Sequence, residues 1–245
     1  MKKNKVIVVM PAYNAEKTLE KTYKDIPKKL VNEIILVDDC SKDKTLEVSK
    51  KLGITTIAHE KNTGYGGNQK TCFTTALNHG ADIIIMVHPD YQYDPKKIPE
   101  ILKLFEDEKI DVAYGSRLLV KGEAKKGGMP LYKRIGNFFL TTYMNFMLGI
   151  NFTDAATGYI AYRKKVLEKI PFLHNDDGFT FDEEAIIQCS YFRFKMAEFS
   201  IPTRYDEESS SISFKKSVKY GINLFIKIIR AKLHKYKILK YYLLE

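Results

Sequence analysis

Runs of three to five consecutive apolar, mostly β-branched residues at positions 6–10, 34–37, 83–87 and 112–114 are separated by helix-length stretches of mixed polarity. Unbroken apolar runs suit strands covered on both faces, because a strand with one wet face alternates instead. Helices are expected at 15–29, 43–52, 67–79 and 95–108, an extra strand at 54–59, and a longer helix at 131–148. Ser41 is positioned to cap the second helix, and Asp94 followed by Pro95 opens the fourth. Strand and helix in alternation imply an α/β fold with a mostly parallel central sheet flanked by helices. In such sheets ligands gather at the carboxyl ends of the strands. A chain of 245 residues has room for one large domain with an appendage.

Cys40, Cys72 and Cys189 are odd in number and lie outside any CxxC spacing, which argues against a disulfide framework or a zinc knuckle and fits a reducing cytoplasm. The apolar stretch near the N-terminus is cut short by Pro11 and Asn14, so it reads as a first strand rather than a secretory segment. No uncharged stretch approaches the ~20 residues of a bilayer span. The formal charge is +10, of which +8 falls after residue 208. The basicity therefore belongs to a tail at 209–245, and a chain-wide argument for nucleic-acid binding loses its force. In that tail Val218, Ile222, Phe225, Ile229 and Leu233 recur at helical steps among Lys215, Lys216, Lys219, Lys227, Arg230 and Lys232. That is the pattern of a basic amphipathic helix able to lie in the interface of an anionic membrane. The alternative is that the stripe packs on the body or on a second subunit while the lysines face water.

Three polar loops follow the apolar runs: residues 11–14 after the first, Asp38 and Asp39 after the second, and residues 88–92 after the one at 83–87. Two adjacent carboxylates at a buried strand end need a cationic or hydrogen-bonding partner. A ribose, a base N–H or a metal would serve, as would a helix to cap. Residues 62–68 form a glycine-rich turn opening a helix, whose amides suit phosphate or ribose, although the Gly-Lys-Ser/Thr ending of a Walker loop is missing. His88, Asp90 and Gln92 alternate, so an extended segment aims all three one way. An oxygen-rich set suits Mg²⁺ or Mn²⁺ on substrate phosphates, and imidazole tilts the choice toward Mn²⁺. Phe138, Phe139, Tyr143 and Phe146 at helical spacing read as core in preference to a groove for an acceptor lipid.

Taken in order, these loops resemble the family 2 glycosyltransferases of GT-A fold, in their dolichol-phosphate mannosyltransferase-like branch. The matching residues are Pro11 to Asn14, Val37 to Thr45, Asn62 to Gly67, His88 to Gln92 with Pro95, Gly115 to Arg117, Asp154 to Tyr159, and Gly178 to Glu184. The family usually carries Asp-x-Asp where this chain has His88, Pro89 and Asp90. The resemblance implies a catalytic domain over 1–208, with a nucleotide-sugar half at 1–117 and an acceptor half at 118–208, followed by the helical tail. It implies that Pro11, Tyr13, Asp38, Asp39, Gly64, Gly66 and Asp90 hold the nucleotide. Asp90, His88 and Gln92 would hold a divalent cation, Mn²⁺ or Mg²⁺, and Arg117 and Arg134 would meet phosphate charge.

The activity implied is metal-dependent, inverting transfer of a hexose-type sugar from a nucleotide-diphosphate sugar to a polyprenyl phosphate or lipid-linked glycan. The enzyme would be cytoplasmic, touching the membrane peripherally, without a nucleic-acid partner and compatible with a homo-oligomer. A hydroxyl acceptor needs a carboxylate base, for which Asp182, Glu184 and Asp154 are candidates. A phosphate acceptor, largely ionised at neutral pH, needs none. The acids at 182–184 also suit the first turn of a helix on dipole grounds alone. The rival readings are a nucleotidyltransferase and a nucleic-acid-binding module that uses the basic tail.

Overall fold

The computed structural model describes residues 4–202 and 214–245. Seven strands form one sheet: β1 (Val6–Ala12), β2 (Glu33–Asp38), β3 (Thr55–Ala58), β4 (Ile83–Met86), β5 (Val112–Ser116), β6 (Ile160–Arg163) and β7 (Met196–Ser200). Their order is β3-β2-β1-β4-β6-β5-β7. All neighbours are parallel except β6, which runs antiparallel to both β4 and β5. The mostly parallel α/β sheet expected from the sequence is the fold observed. Strands β6 and β7 are additions to the strands expected from the sequence.

Alternate residues of the strands feed two cores. Ile7, Val9, Ile84 and Met86 face one side, where they join α3 (Gly64–Asn78), α6 (Leu131–Leu148), α8 (Phe181–Tyr191) and α9 (Phe214–Lys235). Val8, Met10, Ile83 and Ile85 face the other, against α1 (Leu19–Asp25), α2 (Thr45–Lys51) and α4 (Ile98–Leu104). Two further short helices, α5 (Glu123–Lys126) and α7 (Lys164–Leu167), lie in connections. Both faces are covered, which is why the strands carry continuous apolar runs.

Several boundaries differ from the sequence expectation. The first helix stops at Asp25 because Pro27 holds Ile26 extended, with ψ of 125°. Ser41 caps nothing; it donates to Asp38, while Asp43 accepts from the Thr45 amide at the start of α2. Asp94 does receive the Lys96 amide and opens the turn leading to α4, as expected.

Three of the four aromatic side chains read as core in α6 overturn that reading, with Phe138 63% exposed, Phe139 67% and Phe146 81%, while Tyr143 is partly buried against the core as expected. In α9 the residues that pack are Leu224, Ile228 and Ala231, whereas Ile222 and Phe225 of the expected stripe lie exposed. Periodicity alone cannot choose between adjacent stripes of a helix rich in both Ile and Lys. Val218 and the boundary at 208 lie outside the described side chains and residues. Among the described residues, no helix is long and apolar enough to cross a membrane.

Candidate active site

The loops after β1 and β2 are stitched together. The Asn14 amide donates to Ser41 Oγ (2.9 Å), and Asn14 Oδ1 receives the Lys42 amide (2.8 Å). Tyr13, 50% exposed, stands at the end of β1 beside buried Pro11. Asp38 accepts from the amide and hydroxyl of Ser41. Asp39 accepts from the amide (2.7 Å) and hydroxyl (2.8 Å) of Thr63 and from the Gly64 amide (3.0 Å), and it pairs with His59. Burial pushes the Asp39 carboxyl up, but these hydrogen bonds outweigh it and hold the group below the ordinary carboxylate range. Asp39 thus meets the orphan amides at the start of α3, the capping alternative.

The glycine turn at the start of α3 serves protein packing. Gly64 has φ of +86°, and a Cβ there would lie 2.6 Å from the Asp177 carbonyl. One on Gly66 would collide with the Asp176 carbonyl. The Gly66 amide donates to Asp177 O at 2.7 Å. The glycines therefore let loop 176–178 cross the helix start, instead of leaving these amides open to phosphate. Tyr65, between them, points inward. Its hydroxyl donates to Asp182 Oδ2 (2.7 Å) and lies 3.3 Å from His88 Nε2, and its ring stacks on His88 at 5.5 Å between centroids with planes 2° apart.

His88 ends the strand region of β4 as a buried imidazole whose pKa burial lowers. Gly158 closes on it, since a Cβ there would come within 2.8 Å of Nε2. The expected common aim of His88, Asp90 and Gln92 does not extend to His88 Nε2, which faces Tyr65. Asp90 is half-buried and accepts the Gln92 amide at 3.0 Å. The loop is held from behind by α1: Thr22 Oγ1 donates to the Pro89 carbonyl (3.2 Å), and Tyr91, at φ of 59°, donates to Asp25.

Just past the end of β5, Arg117 forms a buried ion pair with Asp154 of the segment leading to β6, with Nε to Oδ2 at 2.7 Å and Nη2 to Oδ1 at 3.0 Å. Asn137 of α6 adds a hydrogen bond to Oδ1 at 2.8 Å. Burial raises the Asp154 carboxyl, yet Arg117 brings it below its usual value. A carboxylate so committed is a poor proton acceptor, which removes Asp154 from the base candidates. Arg134 sits half-buried in the first turn of α6. Its neighbour Lys133 loses basicity through burial and the Arg117 charge.

Asp182, Glu183 and Glu184 open α8 as three buried acids. Burial pushes Asp182 up to about 7 and Glu183 up to about 8. Because both pKa values are raised over their unfolded values, the folded state binds more protons between about pH 4 and 8. Stability from these two groups is greatest below about pH 4 and falls as pH rises toward 8. Glu183→Gln should therefore raise the melting temperature at pH 8.5 by roughly 5 °C and leave it nearly unchanged at pH 4. Equal melting shifts at the two pH values would show that burial does not set this carboxyl.

Glu184 is wholly buried and occupied: Oε2 accepts the Asp176 amide (2.6 Å), and Oε1 pairs with Lys227 of α9. Sequence reasoning missed Tyr65, Asn137, Lys133 and Lys227. Tyr65 lay inside a segment singled out for its glycines, and Lys227 was counted among the charges facing a membrane surface or water.

Residues 7–171 match the model of Glycosyl transferase family 2. An uncharacterized protein of Methanocaldococcus jannaschii is 36% identical over 94% of this chain and 93% of its own length. The UDP-N-acetylglucosamine–dolichyl-phosphate N-acetylglucosaminyltransferase of Methanococcus voltae is 28% identical over 94% of this chain and 97% of its own. Among solved structures, glucosyl-3-phosphoglycerate synthase of Mycobacterium tuberculosis, in complex with Mn²⁺, UDP and glucosyl-3-phosphoglycerate, superposes with a TM-score of 0.67 at 18% identity. The match covers 97% of this chain and 81% of that one.

Proposed function

The chain belongs to glycosyl transferase family 2, and on that premise we propose that it moves a sugar from a nucleotide-diphosphate donor to a polyprenyl phosphate, inverting the anomeric carbon. The observation that carries the acceptor class is the exposed apolar face of α6 and α9. Phe138, Phe139 and Phe146 project from α6, and Ile222, Phe225 and Ile226 from α9, with Tyr143 stacked on Phe225 at 4.4 Å where the helices meet. An apolar surface of this kind, with exposed Arg230 one turn beyond Ile226, suits a polyprenyl chain and an anionic membrane surface. The dolichyl-phosphate acceptor in the name of the M. voltae relative supports the same class. The protein acts, on this reading, as a cytoplasmic enzyme peripheral to the membrane.

A divalent ion, Mn²⁺ or Mg²⁺, would be held by Asp90 with Gln92 beside it. Among the described residues no three His, Cys, Asp or Glu side chains converge on one point. One carboxylate with an amide fits an ion that takes its other ligands from a diphosphate and water. Such an ion would neutralise charge on the departing nucleoside diphosphate, and the solved neighbour was crystallised with Mn²⁺ and UDP. His88, stacked on Tyr65, shapes the loop that carries Asp90. Tyr13, exposed at the end of β1, is accessible to the donor base, while Asp38 and Asp39 fix the loops around it. Arg134 and Lys133, in the first turn of α6, supply positive charge for the acceptor phosphate. Arg117, paired with Asp154, secures that turn through Asn137.

An acceptor phosphate is already ionised, so its oxygen attacks without a base. Asp182→Asn should then retain transfer to within about tenfold of wild type. A loss of roughly 10²–10⁴-fold with unchanged stability would mean that Asp182 is a general base and that the acceptor is a hydroxyl. Steady-state rates with the two proteins side by side decide it.

A further inference from the structure

Lys227 lies on the packed face of α9, between Leu224 and Ile228, with 17% of its side chain exposed. An apolar residue there would continue the Leu224, Ile228 and Ala231 stripe without the cost of desolvating an ammonium. Instead Nζ donates to Thr180 Oγ1 (2.8 Å) and pairs with Glu184, with Asp176 Oδ2 at 3.8 Å. Asp176 and Thr180 belong to the turn that leads into α8, and Glu184 lies in the first turn of that helix, where its carboxylate also receives the Asp176 amide.

That turn in turn grips the start of α3. The Asp177 carbonyl accepts the Gly66 amide, Lys70 donates to the Asp177 carboxylate (2.7 Å), and Phe179 lies 5.2 Å from the Tyr65 ring. Tyr65 then stacks on His88, two residues before Asp90. A continuous line of contacts therefore leads from the C-terminal helix to the donor loop.

We propose that Lys227 is a positioning residue for sugar transfer, holding the turn at 176–181 against the glycine turn at 64–67. The C-terminal helix is then part of the frame of the site. The proposal rests on the glycosyltransferase reading above.

Three full-length variants test it. Lys227→Met strands the Glu184 carboxylate and should melt below wild type. Lys227→Met combined with Glu184→Gln removes the stranded charge and should regain the melting temperature. Lys227→Arg keeps the cation. In the double variant, amide hydrogen exchange at 64–67 and 177–181 should be about tenfold faster than wild type. Transfer should fall by up to roughly 10²-fold, as expected when reacting groups are slightly misplaced. Lys227→Arg should hold both to within about threefold of wild type, and slowed transfer at a recovered melting temperature in the double variant is what a merely structural charge would not produce. Wild-type exchange in the double variant, or faster exchange with wild-type transfer, overturns the proposal. Absence of transfer by the wild-type protein itself counts against the functional reading instead, and exchange at the two turns still decides whether Lys227 holds them together.

Discussion

Asp90→Ala should reduce sugar transfer by on the order of 10³-fold while leaving the melting temperature within about 2 °C of wild type. The carboxylate is half-buried and accepts the Gln92 amide two residues on. The loop keeps its shape without it, because Thr22 holds the Pro89 carbonyl and Tyr91 reaches Asp25. What is lost is the protein's oxygen ligand for an ion on the donor diphosphate. Transfer rates across a Mn²⁺ and Mg²⁺ titration, read beside thermal melts, check this. Undiminished metal-dependent transfer would remove Asp90 from the site.

Removing residues 209–245 should leave a body that does not unfold cooperatively. The deletion strips Leu224, Ile228, Ala231, Leu243 and Leu244 from the core, all of them buried. At about 1.5–3 kcal/mol for each large apolar side chain, the loss is comparable with the 5–15 kcal/mol that stabilises a typical domain. It also strands Glu184 and deprives Gln188 Nε2 of the Leu243 carbonyl, 2.9 Å away. Breaking a buried pair costs a further ~3–5 kcal/mol. Circular dichroism melts and limited proteolysis of the 1–208 fragment measure the effect. A fragment that melts as sharply as the whole chain would restore the tail to the status of a separable appendage.

The sheet was legible because burial on both faces writes itself into sequence as unbroken apolar runs, and the loops at its carboxyl edge were located by the ends of those runs. Which partner each polar residue takes was not legible. Asp39 could as well have met a ligand as the start of α3, and only the crossing of loop 176–178 explains why Gly64 and Gly66 lack side chains. Tyr65, Asp182 and His88 meet from three distant segments, a convergence that spacing along the chain does not encode. For α9, hydropathy announced an amphipathic helix but not its rotation. The buried stripe is set by the surfaces of α6 and α8, which turn Lys227 inward and Phe225 outward. The aromatic residues of α6 were misjudged for a related reason. Helical spacing reports that side chains share a face, and says nothing about whether protein covers it.

The proposed acceptor is a lipid phosphate. The most direct measurement supplies radiolabelled nucleotide sugars, short-chain polyprenyl phosphate in detergent and Mn²⁺ to the full-length protein, then partitions the products between water and organic solvent. With a lipid-phosphate acceptor, label from one donor moves into the organic phase as a product released by mild acid, chelation of the ion stops it, and omission of the polyprenyl phosphate leaves the label in water. Label that stays in water as a newly formed glycoside of a soluble acceptor, with none in the organic phase, would contradict it.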